Sequence, residues 1–528
     1  MRRLPSSNKL LLFPLFLILF SIVLVNKSKA QETFEEWKQN YLEEFQKFQN
    51  KYDKQFHKTL QKEWKEFAAE RSPEFYNTPK PDIIPTVKRE KSDTPKTTVE
   101  LEQPSPNKPK TTTLSKTEKK KKTQKPSSDQ KKQKVTDTGV SKTGITPTFE
   151  PNVKKAKVQE NSLTFFDIPI QYKYYTAYKK QMQNEVGQNA ISKFWKHLST
   201  KDYPSFLKQV QQIRSQLSLN DYGYAQLLYN IGNQIYGSQT PESTLFTWFM
   251  LTQSGFGTRI AYNKQQVYLL IKVAPDVFKT TYFPIDGSKF YGLNLSGSQS
   301  DLPSNLFTYE GSHPKSKEKE LSLFFTKRPA LPGEQEQRSY SFSYRDTSYT
   351  FKLPIDKQIV NYMKNYPKAK LELYFNSRID GPTHKGLLNA LRPLLDDKNE
   401  VEKANLLLSF VQKAFKYQTD QEQFNVEKKM FPTETLYYPA SDCDDRTILF
   451  SYLIEHLTNL DYIIIRYPGH LTPAVHFPDT PPQGPKVDSP ISYNGKAYYV
   501  TDPTYINANA GMIMSKYRST PPAETFDF

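Results

Sequence analysis

Cys443 is the single cysteine of this 528-residue chain, and it lies in the stretch "YYPASDCDDRTILF" between Tyr437 and Phe450. In an exported protein a lone cysteine is a candidate reactive thiol, whereas a buried lone cysteine often serves only as a small apolar residue. The chemistry open to a reactive thiol is nucleophilic attack on a carbonyl carbon, and this attack needs a nearby base.

Two strands predicted downstream of the cysteine, "HLTPAVHF" and "AYYVTDPTY", carry a base and a carboxylate. If they pair antiparallel, His470 lies opposite Asp502 and His476 faces roughly Lys496. Pairing His476 with Asp502 would extend the first strand through Pro478, and proline interrupts a ladder. We therefore predict that His470 is the base for the thiol and that Asp502 orients the imidazole, which would complete a catalytic triad.

A helix is predicted to begin near Cys443, as "CDDRTILFSYLIEHL". The positive end of its dipole and the nearby imidazole should lower the thiol pKa. Asp442, Asp444 and Asp445 oppose a thiolate, so we expect them to cap exposed helix amides and to point their charges to solvent. The backbone N–H of Cys443 is one predicted oxyanion donor, and a second donor is unassigned.

Three motifs around these residues resemble, in their order, the bacterial branch of the transglutaminase-like superfamily of papain-like thiol enzymes. They are the helix start in "ETLYYPASDCDDRTILFSYLIEHL", the strand start "YPGH" followed by "AVHF", and the strand end in "YYVTDPTYINANAG". "LLSFVQKAFKYQTDQEQF", just upstream, is also similar to that branch. The resemblance covers roughly residues 400 to 515 and implies that Cys443, His470 and Asp502 act as nucleophile, base and orienting group.

Together with the N-terminal export signal described below, the resemblance implies an exported cysteine hydrolase or acyltransferase that acts on amide bonds of protein or cell-envelope peptide through a thioester. Because the same fold includes inactive relatives, the alternative is a non-catalytic binding or scaffold protein of the cell envelope. No metal and no cofactor is predicted, since the chain has neither a His-Glu-x-x-His pattern nor an EF-hand loop. Of the remaining histidines, His456 is expected to pack, and the others are expected at the surface.

The N-terminal residues 1–30 read as a signal peptide, with the apolar run "LLLFPLFLILFSIVLV" before a cleavage site after Ala30. This predicts a secreted or periplasmic protein, with an uncleaved N-terminal membrane anchor as the alternative. Residues 31–76 carry one apolar stripe at helical spacing, which predicts an amphipathic helix for a coiled coil or partner contact.

Residues 77–160 are rich in Lys, Thr and Pro, and the interval 80–157 holds 20 Lys plus Arg against 9 Asp plus Glu. Such a composition cannot bury enough apolar surface to fold, which predicts a disordered basic linker. Its lysines favour an anionic cell-envelope polymer as a partner or simply a solvated tether. Export argues against nucleic acid.

The rest of the chain has an α+β pattern. We expect an α+β domain at 161–300 beginning with "LTFFDIPIQY" as one strand, a β-rich region at 301–385, and the transglutaminase-like domain at 386–528. In the β-rich region, "SYSFSY" and "SYTFKL" predict a hairpin around "RDT", with "AKLELYF" as a neighbouring strand. "LFTWFM" can be aligned with "LFSYLI", which would make 161–300 a degenerate copy with Gln239 in place of Cys443.

Overall fold

The computed structural model describes residues 98–100, 144–151, 157–182, 185–296, 302–303, 306–309, 318–378 and 381–528. All of them belong to a unit that spans Pro79–Phe528. The predicted signal peptide, the amphipathic helix and most of the basic linker lie outside these residues. Within them the fold is α+β, as predicted, and no described helix is both long enough and apolar enough to cross a membrane.

The first half of the described chain is a hairpin, four helices and a sheet. Its strands, with one short strand that precedes them, are β1 (Thr98–Glu100), β2 (Val158–Phe165), β3 (Ile168–Tyr175), β4 (Thr258–Tyr262), β5 (Val267–Ile271), β6 (Val273–Ala274), β7 (Tyr282–Ile285), β8 (Ser288–Tyr291) and β9 (Phe307–Thr308). Its helices are α1 (Gln188–Ser199), α2 (Tyr203–Gln216), α3 (Asp221–Tyr236) and α4 (Pro241–Gln253).

The second half repeats this plan of hairpin, helices and sheet. Its strands are β10 (Leu321–Ser322), β11 (Gln335–Tyr344), β12 (Thr347–Asp356), β13 (Lys416–Tyr417), β14 (Ala440–Ser441), β15 (Tyr462–Tyr467), β16 (His470–His476), β17 (Ile491–Tyr493), β18 (Lys496–Val500) and β19 (Glu524–Phe526). Its helices are α5 (Lys357–Lys364), α6 (Glu372–Phe375), α7 (Pro382–Leu391), α8 (Glu400–Lys413), α9 (Asp420–Phe424), α10 (Pro432–Tyr437) and α11 (Cys443–Leu457).

Each half contains a five-stranded antiparallel sheet, and the two sheets share one strand order. The order is β7-β8-β5-β4-β9 in the first half and β17-β18-β16-β15-β19 in the second. In both, a helix (α4 or α11) leads into the central hairpin, a second hairpin adds outside it, and the last strand returns to pair with the first. The same path through five strands is therefore followed twice.

The pairing registers of the two sheets also correspond. Thr258 pairs with Ile271 across β4 and β5, and Tyr462 pairs with Val475 across β15 and β16. The same number of residues separates Thr258 from Tyr462 and Ile271 from Val475. The central hairpins can therefore be aligned without an insertion or deletion, and this alignment continues back through the helices, which end at equivalent residues.

The outer hairpins correspond as well. β8 joins β5 where Tyr291 pairs with Ile271, and β18 joins β16 where Tyr499 pairs with Val475. Each outer hairpin closes through a two-residue turn, Asp286–Gly287 or Asn494–Gly495, whose residues all have positive φ. This is the turn geometry that matches the right-handed twist of paired strands, and Asp-Gly and Asn-Gly favour it.

Two sequence predictions for strands are wrong and one is confirmed. β11 and β12 form the predicted hairpin, with Tyr344 opposite Thr347. "LTFFDIPIQY" was expected as one strand, but it turns at Phe166 and Asp167, both with positive φ, and so contributes to two strands, β2 and β3. "AKLELYF" contains the short helix α6 instead of a strand. Its neighbouring residues Leu373 and Tyr374 both pack into one core cluster, whereas neighbours in a strand point to opposite faces.

The core is built from aromatic and branched apolar side chains. One cluster fills the first half and reaches Phe431 and Ile448 of the second half. Another joins the β11–β12 hairpin to α8, α11 and the adjoining face of the β16 sheet, and a third lies on the other face of that sheet. The helix that begins at Cys443 is consequently held by packing on several sides, which fixes where its first turn points.

Candidate active site

His470 and Asp502 meet in the structure. His470 Nε2 lies 2.8 Å from Asp502 Oδ2, and both side chains are buried. Because a carboxylate only accepts hydrogen bonds, the ring donates from Nε2, and Nδ1 remains as the nitrogen that could serve a thiol.

The strand register behind this contact differs from the predicted one by two residues. His476 pairs with Tyr498 rather than with Lys496, and the ladder continues to a hydrogen bond from Thr501 N to Pro473 O. With this register extended, Asp502 lies opposite Thr472 and is a diagonal neighbour of His470. The two side chains still meet because diagonal neighbours on one face of a sheet are within reach of a long side chain.

Cys443 is the first residue of α11, as predicted, and its side chain is only 5% exposed. Its sulfur lies 3.6 Å from Asp444 Oδ1. Within the described residues, no hydrogen bond joins this sulfur to His470. The structure thus brings the predicted base and its orienting carboxylate together. In the described part of the chain it places the predicted nucleophile nearby at a helix start, without a hydrogen bond from the thiol to the imidazole.

The expectation of a lowered thiol pKa is wrong. Burial, followed by the carboxylates of Asp444 and Asp442, raises the pKa of the Cys443 thiol well above its usual value. The backbone N–H of Leu471 works in the opposite direction and is too weak to compensate. Desolvation of a thiolate in this closed pocket therefore outweighs the favourable helix dipole.

The aspartates around Cys443 cap the helix, as predicted for Asp442 and Asp445. Asp442 accepts hydrogen bonds from Asp444 N and Asp445 N, and Asp445 accepts from Asp442 N in return, which completes a capping box. Both carboxylates are buried rather than directed to solvent. Asp444 does not cap, and its carboxylate lies 3.5 Å from Lys429 Nζ.

A third buried carboxylate, Asp420 at the start of α9, joins Asp442 and Asp445. One oxygen from each lies within 4.8 Å of the others, so the three could hold a cation. Each also accepts backbone N–H groups; Asp420 accepts from Lys428 N and Asp445 from Met430 N. Burial, reinforced by mutual repulsion, raises the pKa of Asp420 and Asp442, and burial raises the pKa of Asp445.

Tyr517 covers His470, a contact that the sequence gives no motif to predict. Its ring stacks on the imidazole with centroids 5.2 Å apart and planes 3° from parallel. Tyr467 also stacks on Tyr517, with ring centroids 4.8 Å apart. The Tyr517 hydroxyl donates to Pro468 O, and burial, with the nearby charges of Cys443 and Asp502, raises its pKa. This stack fixes the plane of the imidazole.

Gln412 on α8 holds the loop that follows β18. Its Nε2 donates to the carbonyl oxygens of Asp502, Tyr505 and Ala508, and its Oε1 accepts from Asn507 N. The sequence signal for this role is weak, because glutamine is common on exposed helix faces. By fixing the backbone at Asp502, Gln412 helps to set where the carboxylate points.

Arg446 is completely buried one turn after Cys443. It donates to Ser441 Oγ and to the carbonyl oxygens of Phe415 and Pro503. A charged residue inside the apolar run "DDRTILF" could have indicated such a buried anchor. Arg446 ties the helix start to the residue that follows Asp502.

Two other histidines lie at the far end of α11. His456 packs as expected, with Nδ1 2.8 Å from Tyr452 O. His384 was expected at the surface, but it is half-buried, contacts the Tyr452 hydroxyl and lies with its ring centroid 5.0 Å from that of His456. The helix α7 packs against α11 and carries this side chain inward.

The first half has different residues at the positions that correspond to the triad. The alignment of the central hairpins places Gln239 and Gln266 at the positions of Cys443 and His470. The alignment of the outer hairpins places Asn294 at the position of Asp502. Gln239 lies just before α4, whose N-cap is Thr240, and it is exposed, as is Gln266. The first half therefore lacks both the thiol and the imidazole.

Comparison with known proteins yields no relative. No family model matches the sequence, and no curated protein and no solved structure shows significant similarity to it.

Proposed function

We propose that this protein is an exported cysteine hydrolase or acyltransferase of the transglutaminase-like, papain-like type, acting on amide bonds of protein or cell-envelope peptide. The observation that carries the proposal is the buried hydrogen bond from His470 Nε2 to Asp502 Oδ2 beside a helix that begins with Cys443. A carboxylate, an imidazole and a helix-start thiol are the groups that thiol catalysis requires.

In the proposed reaction the Cys443 thiol gives its proton to His470 Nδ1, and the sulfur attacks the amide carbonyl carbon. The carbon–nitrogen bond then breaks, and the imidazolium returns the proton to the leaving amine, which gives a thioester. Water or a second amine attacks the thioester, its proton passes through His470, and the thiol reforms. Asp502 keeps the proton on Nε2 and stabilises the imidazolium.

The raised thiol pKa makes Cys443 a neutral thiol in the closed site at neutral pH. Catalysis therefore requires substrate binding to open the pocket or proton transfer to occur together with attack. The backbone N–H of Leu471, which favours negative charge on the sulfur, is a candidate stabilising donor in addition to the backbone N–H of Cys443.

The proposal is tested by the alkylation rate of Cys443 with iodoacetamide between pH 6 and pH 9, read by mass spectrometry of the folded protein. We expect His470→Ala to slow alkylation at pH 7.5 by at least about tenfold, because the imidazole no longer takes the thiol proton. His476→Ala is the matched control, since His476 lies on the same strand and hydrogen-bonds to Ala497 O, away from the thiol. It should leave the rate unchanged.

The second candidate function is a non-catalytic cell-envelope scaffold. The burial of Cys443 and the lack of a hydrogen bond between it and His470 in the described residues favour this alternative. Under it, Cys443 is alkylated only after denaturation, and His470→Ala leaves the rate of the folded protein unchanged. An unchanged rate in His470→Ala would exclude the enzymatic proposal, and alkylation only after denaturation would exclude a thiol that is active without substrate.

A further inference from the structure

In the first half, an extended segment lies across the residues that enter the central hairpin. Lys319 donates its backbone N–H to Gly255 O at 3.0 Å, and its carbonyl oxygen accepts from Gly257 N at 2.9 Å. The Lys319 ammonium sits over the ring of Phe256, 4.1 Å from its centroid. This segment runs on into β10, which pairs in parallel with β6. The residues just before β4 are thus bridged in parallel by an extended segment of the chain, at Phe256 and Lys319.

The alignment of the two sheets identifies the same place in the second half. Asp461 immediately precedes β15, as Gly257 immediately precedes β4. One backbone hydrogen bond is also equivalent in the two halves: His476 N donates to Asp461 O at 2.8 Å, and Lys272 N donates to Gly257 O at 2.9 Å. Among the described residues, however, nothing accepts a backbone hydrogen bond from Asp461 N.

A cavity of about 660 Å³ opens at this place in the second half. Its lining includes three carboxylates, those of Glu455, Asp461 and Asp527, and two cations, Arg378 and Lys496. Lys496 Nζ is already held by Asp461 Oδ2. The aromatic rings that line the cavity are those of Phe375, Tyr452, Tyr462, Tyr498 and Phe528.

We propose that this cavity is a docking groove for an extended, lysine-bearing peptide strand of a partner protein. The strand would accept a backbone hydrogen bond from Asp461 N, as Lys319 accepts one from Gly257 N in the first half. Its lysine would pack on one of the aromatic rings of the cavity and face Glu455 or Asp527. Leu460 stands at the position of Phe256, so the aromatic partner would come from another part of the lining.

The groove is independent of the proposed chemistry. It lies around the last turn of α11, and Cys443 is the first residue of that helix, so the two are separated by about 20 Å along the axis. Binding at the groove therefore requires neither an active thiol nor a substrate.

The test uses the full-length protein and a fluorescein-labelled peptide with the sequence of residues 316–324, "SKEKELSLF", read by fluorescence anisotropy. We expect saturable binding, and at least about threefold weaker binding to Asp461→Pro, which removes the donor N–H together with the carboxylate that holds Lys496. Asp461→Asn is the matched control, because it keeps the N–H and should bind the peptide within about twofold of the wild type.

A second variant keeps the test informative if Asp461→Pro fails to fold. Glu455→Lys reverses a charge in the groove and should weaken binding at least about fivefold, while Asp479→Lys, on an exposed loop outside the groove, should not. A scrambled peptide of the same composition should bind at least tenfold more weakly.

Three outcomes would overturn the proposal. The first is no binding to the wild-type protein, and the second is equal binding to wild type and Glu455→Lys. The third is binding only to a variant that lacks residues 101–143, which would assign the groove to the lysine-rich segment of the chain itself rather than to a partner strand.

Discussion

The two five-stranded sheets of this protein follow the same path with different side chains at the positions where chemistry would occur. The second half has Cys443, His470 and Asp502, where the first half has Gln239, Gln266 and Asn294. Strand order, register of the central hairpin and the outer turn are nevertheless shared. The determinants of the sheet and the determinants of the site are therefore largely separate sets of residues.

The comparison shows one strand order and one central register in both halves, with a thiol, an imidazole and a carboxylate at the three positions in the second half only. What is special to the second half is polar and buried: a capping box at the helix start, the anchor Arg446 and the pair His470–Asp502. Such groups cost stability unless every partner is present. Substitutions at equivalent positions in the two halves should therefore have unequal effects at the site and equal effects in the turns.

The largest expected effect comes from Arg446→Met. This change removes a buried guanidinium and leaves Ser441 Oγ and the carbonyl oxygens of Phe415 and Pro503 without their donor. We expect a loss of about 3 kcal/mol in the free energy of unfolding, measured by urea denaturation.

The equivalent position in the first half provides the control for this change. Glu242 occupies that place on α4 and accepts a hydrogen bond from Met182 N. Glu242→Gln can retain this hydrogen bond, so it should change the free energy of unfolding by no more than about 0.5 kcal/mol. A loss below about 1 kcal/mol for Arg446→Met would mean that the buried network does not stabilise the second half.

The next effect concerns the orienting carboxylate. Asp502→Asn gives the second half the residue found at the equivalent place in the first, and an amide cannot stabilise an imidazolium as a carboxylate does. The alkylation rate of Cys443 at pH 7.5 should fall about tenfold, with the fold retained by circular dichroism. The reverse change, Asn294→Asp, should leave the rate as it is. Equal rates in wild type and Asp502→Asn would remove Asp502 from the proposed mechanism.

A smaller and equal effect is expected at the two outer turns. Gly287 and Gly495 have φ of 73° and 76°, and an added Cβ meets no atom within 4 Å at either position. Gly287→Ala and Gly495→Ala should each lower the free energy of unfolding by about 1 kcal/mol, from the strain of a left-handed alanine alone. Losses that differ between the halves by more than about 1 kcal/mol would argue against equivalent turns.

The sequence predicts the parts of this structure that depend on local pattern. The hairpin of β11 and β12 follows from its alternating aromatic residues, and the start of α11 at Cys443 follows from the capping residues before it. "AKLELYF" also looks like a strand, yet its apolar residues fit the core better as the helix α6. Local preference is overridden there by packing between distant segments.

The predictions for the site are wrong where its geometry depends on segments that are distant in the sequence. The register of β18 against β16 depends on the long proline-rich loop between them. The sequence of this loop does not indicate where the pairing of the two strands begins. The thiol pKa depends on how closely the site is covered, and Tyr517 and α9 reach it from segments outside the three motifs. Contact between His470 and Asp502 was predictable because both lie near the ends of adjacent strands on one face.

The last comparison concerns the charge difference between the halves and is tested through pH. The folded-state pKa of Asp420 is raised above its unfolded value, chiefly by burial, so the folded protein holds a proton that the unfolded chain releases above about pH 4. Stability from this group is therefore full below about pH 4 and is lost as pH rises toward the folded pKa. Asp420→Asn keeps an oxygen for Lys428 N and carries no titrating proton.

The Asp420→Asn variant should gain stability relative to wild type as pH rises from 5 to 8, by up to about 1.4 kcal/mol for each pH unit, measured by urea denaturation at each pH. Asp479→Asn, an exposed site in the same half, should show no such trend. If the variant instead loses stability as pH rises, Asp420 is ionised in the folded protein and balanced by a cation such as Lys428 or a bound metal ion. The ionised carboxylate of Asp420 would then stabilise the second half.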